Sequence, residues 1–302
     1  MPRRIALVTT DVPELLAHEH DLEPLFAELV RRGIVADAPV WHDASVEWGV
    51  YDLIVMRSPW DYSLRTDEFL EWLDSLPAHR VLNPPGLIRW NLDKRYLLDL
   101  EEMGVPVIPT TVAGSLAEVT EAARAIGGSV VIKPTIAAGS WGAHITHADD
   151  PKLAAYVSEI LGADKLVLVQ PEIPQISRGG ERGLLFFGGE YSHTISKGPI
   201  LAGDGGYLGG EYTEHIASAT PTDAEIDAAT RCSQAITQVV AFSGFAAEAD
   251  ATPLYARYDL VTGADGPLII EAELFEPSYF LEVVPGSVTR AVDAMVARFD
   301  TL

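Results

Sequence analysis

Three acids and one arginine crowd a short segment near the end of the chain, YARYDLVTGADGPLIIEAE, from Tyr255 to Glu273. In its first arm Tyr255, Arg257 and Asp259 point one way and Ala256, Tyr258 and Leu260 the other. The second arm sets Ile269, Glu271 and Glu273 against Leu268, Ile270, Ala272 and Leu274. A period of two is a strand with one polar and one apolar face. Gly263-Ala264-Asp265-Gly266 is a turn signal between the arms. The spacing therefore predicts a hairpin in which Asp259 faces Glu271 and Arg257 faces Glu273. Carboxylates opposed in a ladder repel each other, and no lysine lies in this segment to relieve them. A bound cation would. Glu271 and Glu273 stand about 7 Å apart along one strand face, and with Asp259 they could grip two ions about 3.5–4 Å apart. All-oxygen donors suit Mg²⁺ or Mn²⁺ and not Zn²⁺. The alternative is a solvated outer face of a surface hairpin, against which the apolar opposite face argues.

Such ions travel with phosphates, and the chain has a second constellation for those. Gly139, Ser140, Trp141 and Gly142 form a loop between two strand patterns. Glycines there let backbone N–H groups approach phosphate oxygens. Lys133 lies on the preceding strand, SVVIKPT, and Lys94 at the start of an earlier helix pattern. G-x-x-x-x-G-K-[ST] is absent, and no G-x-G-x-x-G follows the first strand, so neither a Walker A loop nor dinucleotide binding is supported. Taken singly, a hairpin turn and solvated lysines explain these residues. Their order is the signal: helix lysine, strand lysine, Gly loop, hinge strand, then the acidic cluster.

The elements that must position them alternate along the chain. Residues 1–92 read as a small α/β domain, with strands IALVTT, VADAPVW, YDLIVMR and RVLNPP and helices EPLFAELVRRG and TDEFLEWLDSL. Ligands of such sheets sit beyond the carboxyl ends of strands. There the sequence places Arg57, Ser58, Trp60 and Asp61, which read equally well as a small-molecule pocket or as a strand-to-helix loop with a packing Trp. Residues 93–174 form a second unit. It opens with a connector helix that carries Asn91, Asp93 and Lys94 at its start, and it contains an N-cap at Ser115 and the strand KLVLVQPEI. Residues 175–302 hold the hairpin ERGLLFF–GGE–YSHTISK, a glycine-rich loop, an amphipathic helix around Cys232, the acidic hairpin and a last helix.

Composition bounds the function. The chain has 302 residues, is 48% hydrophobic and carries a formal net charge of −23. So acidic a surface argues against nucleic acid and anionic membranes as partners. One cysteine rules out an internal disulfide framework. No apolar stretch is long enough to span a membrane and the first residues do not read as a signal peptide, which sets a cytoplasmic expectation.

These motifs together resemble the ATP-grasp superfamily of carboxylate–amine ligases, over nearly the whole chain, and most closely its glutathione synthetase and D-alanine–D-alanine ligase branch. The resemblance implies an α/β (α+β) ATP-grasp fold with a Rossmann-like N-terminal lobe, a central lid lobe and a C-terminal antiparallel-sheet lobe. It implies ATP and Mg²⁺ as cofactors. Lys94 and Lys133 resemble the nucleotide lysines, and Gly139 to Gly142 the phosphate loop. Gln170, Pro171, Glu172 and Ile173 resemble the adenine hinge, and Glu181 the ribose acid. Asp259, Glu271 and Glu273 resemble the metal ligands, with Glu273 where the family usually has Asn. Arg257 resembles the arginine that stabilises the oxyanion of the tetrahedral intermediate. A substrate carboxylate would take the γ-phosphoryl of ATP, and an amine-type nitrogen would displace phosphate from it.

One departure bears on the substrate. Gly183 stands where glutathione synthetases place an arginine for their peptide, which speaks against a γ-glutamyl dipeptide. His193 and Lys197 share a strand parity and either reach the site together or form a half-exposed strand face. Ser278 completes the substrate candidates. The segments GERGLLFFGGEYSHTISKGP, EAELFEPSYFL and RSPWDY resemble a small subgroup of the superfamily, which implies ring closure within one amino-acid-like small molecule, with a homodimer as an admissible assembly. An intermolecular amino-acid ligase, an ATP-grasp kinase and a non-catalytic Mg-nucleotide module remain as alternatives.

Overall fold

The computed structural model describes residues 2–139, 141–174, 180–198, 215–247 and 251–299. The first sheet is parallel, in the order β2-β1-β3-β4, from β1 (Arg4–Thr9), β2 (Val35–Asp37), β3 (Leu53–Ser58) and β4 (Val81–Leu82). β3 is buried at every position and β1 at all but its first, as parallel strands covered on both faces are. Alternate residues serve opposite faces. Ile5, Leu7, Leu53 and Val55 pack with Leu25 and Leu29 of a helix at Leu22–Arg31; Ala6, Val8, Ile54 and Met56 pack with Phe69 and Leu73 of a helix at Thr66–Ser75.

The second sheet is antiparallel, in the order β5-β8-β6-β7: β5 (Thr111–Ala113), β6 (Val130–Pro134), β7 (His144–Thr146) and β8 (Val167–Pro171). Helices Leu116–Ile126 and Leu153–Gly162 bury Val119, Ala123, Val157 and Ile160 against it. The Ser115 hydroxyl accepts from the Glu118 N–H, the N-cap its position predicts.

The stretch joining these sheets departs from expectation. Asn91, Asp93 and Lys94 do not open one helix. A helix over Pro85–Leu92 carries Asn91 in its last turn, Asp93 is extended at φ −101° and ψ 116°, and a second helix runs over Tyr96–Glu102. Pro85 at the first turn is the start signal that an apolar reading passed over. The break lets the Lys94 N–H reach the Thr135 carbonyl at 2.7 Å, so Lys94 leaves the helix row and joins the end of β6.

The third sheet is antiparallel, in the order β11-β10-β9-β12-β13: β9 (Glu181–Phe187), β10 (Glu190–Lys197), β11 (Ile216–Ala219), β12 (Tyr255–Gly263) and β13 (Gly266–Glu273). One face packs Ala256, Tyr258, Leu260 and Ala272 against the helix Asp223–Phe242, which buries Cys232. That helix starts in a capping box between Thr222 and Glu225. Leu185, Phe187, Ile195 and Tyr255 on the other face pack with the last helix, Ser287–Phe299, and with the first sheet.

Arg257 pairs with Glu273 and Asp259 with Glu271, as expected, but the register then shifts and Leu260 pairs with Ile269. Ile270 is the extra residue of a β-bulge. The bulge reverses the assignments of Leu268, Ile269 and Ile270. Ile269 joins Leu260 and Ala272 beneath the helix, while Ile270 joins Ile108 and Val261. Both side chains are apolar, so alternation alone cannot register the slip. No helix among the described residues is long and apolar enough to cross a membrane.

Candidate active site

Between the connector and the acidic hairpin lies a small cleft lined by Tyr62, Asn91, Lys94, Glu271, Glu273 and Glu276, among others. Asn91 fixes one wall to the other: its amide donates to the Ala272 carbonyl at 2.7 Å and its carbonyl accepts from the Leu274 N–H at 2.9 Å.

Asp259 and Glu271 face each other, yet protein cations relieve them, which corrects the expectation that only a bound ion would. Lys94 Nζ lies 2.9 Å from Glu271 Oε1 and 3.0 Å from the Ala137 carbonyl. Lys197 Nζ bridges Asp259 Oδ2 at 2.7 Å and Glu181 Oε1 at 2.5 Å. Arg257 donates to both Asp259 oxygens, at 2.9 and 3.0 Å, and also to Glu273. These cations are distant from the hairpin in sequence or lie on its own strand, and folding brings them in. Among the described residues no three carboxylate, His or Cys side chains converge as an ion would require.

The compensation is uneven. Burial opposes charge on Asp259, but Arg257 and Lys197 outweigh it and hold its carboxyl below the usual range. Burial also opposes charge on Glu271, and Lys94 and Lys133 win there. On Glu273 burial prevails over Arg257, with the neighbouring Asp259, Glu276 and Glu271 adding to it, and pushes the carboxyl up to about 8. Burial pushes Glu276 up to about 7. Lys94 is held above the ordinary lysine range, since Glu271 outweighs its burial. Burial lowers Lys133, which makes no ion pair among the described residues. Burial therefore favours the protonated forms of Glu273 and Glu276, which a bound cation would draw back to carboxylates, and the donors are hard oxygens. That donor set fits Mg²⁺.

The other candidates fall on both sides of the line. Glu181 is in the cluster. Gln170 donates to the Thr110 hydroxyl at 2.9 Å, Pro171 ends β8, the Glu172 N–H donates to Ser129, and Ile173 packs by Ile108 and Ile270 at the bulge. Gly139 and Gly142 have φ of +60° and +69°, and Trp141 between them is exposed. Ser140 and the 198–210 loop beyond Gly198 lie outside the described residues.

His193 and Lys197 share a sheet face, but only Lys197 reaches the carboxylates. His193 is buried, with Nε2 2.8 Å from the Tyr279 carbonyl and Nδ1 2.8 Å from the Ser192 hydroxyl. Arg57 is wholly buried, donating to the Pro277 carbonyl at 2.9 Å and to Asp21 at 3.1 Å. Ser58 is bonded to Thr9, and Asp61 accepts from Trp41. These three belong to the packed loop and not to the cleft. Trp60 donates to the Glu276 carbonyl, and the Ser278 carbonyl accepts from Arg257. Tyr62, Asn91 and Glu276 line the cleft without having been singled out. All three stood inside segments quoted for the resemblance, Glu276 in EAELFEPSYFL, three residues past the hairpin and with no periodic signal of its own.

Three sheets of this order, with Lys94 and an acidic hairpin lining one cleft, make the fold of an ATP-grasp ligase. D-alanine–D-alanine ligase from Bacillus anthracis, solved in complex with ATP, shares the fold with a TM-score of 0.65 at 15% identity, over 99% of this chain and 98% of that one. The chain belongs to the D-cycloserine synthetase DcsG family. It is 36% identical over 306 residues to the cycloserine biosynthesis protein DcsG of Streptomyces lavendulae, covering 97% of this chain and 98% of the relative. The crystal structure of D-cycloserine synthetase DcsG has a TM-score of 0.87 at 34% identity over 98% of this chain and 99% of that one. The family model for the N-terminal domain of D-cycloserine synthetase DcsG matches residues 5–83.

Proposed function

We propose that this chain is an ATP-dependent, ADP-forming ligase that closes a ring within O-ureido-D-serine to give D-cycloserine, acting in the cytoplasm. The full-length likeness to DcsG carries the substrate. The cleft supports the chemistry. Lys94 and Lys133 hold the ATP phosphates, the loop through Gly139 and Gly142 covers them, residues 170–173 flank adenine, and Glu181 takes the ribose. Asp259, Glu271 and Glu273 would hold Mg²⁺, two ions by their number, which would supply charge neutralisation at the transferred phosphoryl group. The substrate carboxylate attacks the γ-phosphorus, ADP leaves, and an acyl phosphate forms. The substrate's own aminooxy-derived nitrogen then attacks the acyl carbon, a C–N bond forms and phosphate departs; water then cleaves the bond from that nitrogen to the carbamoyl group, which leaves as carbamate and breaks down to CO2 and ammonia. Arg257 is anchored by Asp259 and the Ser278 carbonyl. It presents its guanidinium to the tetrahedral oxyanion.

Gly183 supports a small substrate. A Cβ there would stand 2.9 Å from Ile195 Cδ1 and 3.0 Å from Asp259 Oδ1, so the position has no room for a peptide-binding arginine. The test is ADP release with ATP, Mg²⁺ and a panel of amino acids that includes O-ureido-D-serine, with product mass. ADP and a D-cycloserine mass are expected. No ADP with any carboxylate would overturn the ligase reading, and a linear amide would overturn cyclisation.

A further inference from the structure

The loop after β13 is gripped at successive backbone groups by side chains from both neighbouring sheets. Trp60 Nε1 donates to the Glu276 carbonyl at 3.0 Å, Arg57 to that of Pro277 at 2.9 Å, and Arg257 to that of Ser278 at 3.1 Å. His193 Nε2 donates to the Tyr279 carbonyl at 2.8 Å, and Asp21 accepts from the N–H groups of Tyr279 at 2.6 Å and Leu281 at 2.9 Å. Arg57, wholly buried, also stacks on the Tyr279 ring at 3.6 Å. This clamp removes the loop's freedom and leaves Phe275 and one charged side chain, Glu276, lining the cleft.

That side chain is set apart by charge. Glu271 is paired to Lys94, Glu273 to Arg257, and Asp259 to Lys197 and Arg257. Glu276 also lines the cleft but makes no ion pair among the described residues. The Tyr62 hydroxyl is set against its carboxylate, and Leu92 and Phe275 add apolar wall. A carboxylate so enclosed gains most from a ligand that brings positive charge and N–H donors. We propose that Glu276, oriented by Tyr62 and the clamped loop, is the anchor for the ammonium group of the amino-acid substrate. The proposal rests on the ligase reading for the identity of that substrate. Arg57, Asp21 and Trp60 act through the loop as positioning residues.

The test is steady-state ADP release by wild type and Glu276→Gln, which keeps shape and removes charge. The KM for O-ureido-D-serine is expected to rise about 30-fold, the loss typical of an unpaired buried charge partner, with MgATP KM and Mg²⁺ half-saturation unchanged. An analogue bearing hydrogen in place of the amino group should bind both proteins alike. Tyr62→Phe should raise the same KM about 3-fold, the loss of one hydrogen bond. An unchanged amino-acid KM overturns the proposal, and so does a shift in Mg²⁺ half-saturation in its place. Thermal shift of the MgADP-loaded proteins separates the two readings. O-ureido-D-serine that stabilises wild type and not Glu276→Gln upholds the anchor even where no ADP forms; equal stabilisation overturns it.

Discussion

Asp259 and Glu271 stand directly opposite each other in the β12–β13 ladder and are held by different cations, Lys197 and Arg257 on one side and Lys94 on the other. The pair that should repel is split between two charge systems. Each can be disturbed separately.

Glu271→Gln removes a carboxylate while Lys94 keeps its bond to the Ala137 carbonyl. Turnover measured as ADP release should fall by at least about 10–100-fold, with the urea midpoint little changed. Turnover at the wild-type rate would remove Glu271 from the metal site.

Lys197→Met leaves Asp259 and Glu181 without their shared ammonium, both being largely buried. Breaking a buried pair from one side costs about 3–5 kcal/mol. Urea unfolding should show a loss of that order, and Mg²⁺ should restore part of it in the variant more than in wild type. Equal Mg²⁺ effects on the two proteins would contradict this.

Gly183→Ala places a Cβ 3.0 Å from Asp259 Oδ1 and 2.9 Å from Ile195 Cδ1. The side chain of Asp259 or the strand must yield, at about 1–3 kcal/mol. Thermal melts should show the loss, and ADP release should fall with it because Asp259 is displaced from Arg257. Gly183→Arg should be worse on both counts.

His193 titrates below the ordinary histidine range, mainly through burial, with Arg290 adding to it and the Tyr279 carbonyl opposing. Its folded pKa lies below the unfolded value of about 6.5. The stability it contributes is therefore fully present above that value and is lost as pH falls through the folded one. Melting temperature should decline from pH 7 to pH 5 in wild type. His193→Gln should flatten that decline while losing about 1 kcal/mol at pH 7.5 with the bond to Tyr279. An unaltered slope would show that another group controls it.

Local pattern was enough for much of this. Alternation and a Gly-bounded turn fixed the hairpin and the opposition of Asp259 to Glu271, because strand parity and turn length are set by neighbours in sequence. Ser115 as a cap and the helix around Cys232 followed for the same reason. The bulge at Ile270 was not legible, since two adjacent isoleucines satisfy either face. Whether Arg57 lines a pocket or packs a loop was not legible, because its partners, Asp21 and the Pro277 carbonyl, lie far off in the chain. By itself the sequence determined which residues carry charge on one strand face. Only the tertiary structure decided which cation each carboxylate meets, and that Glu276 meets none among the described residues. Charge pairing across a fold depends on distances that no local spacing encodes.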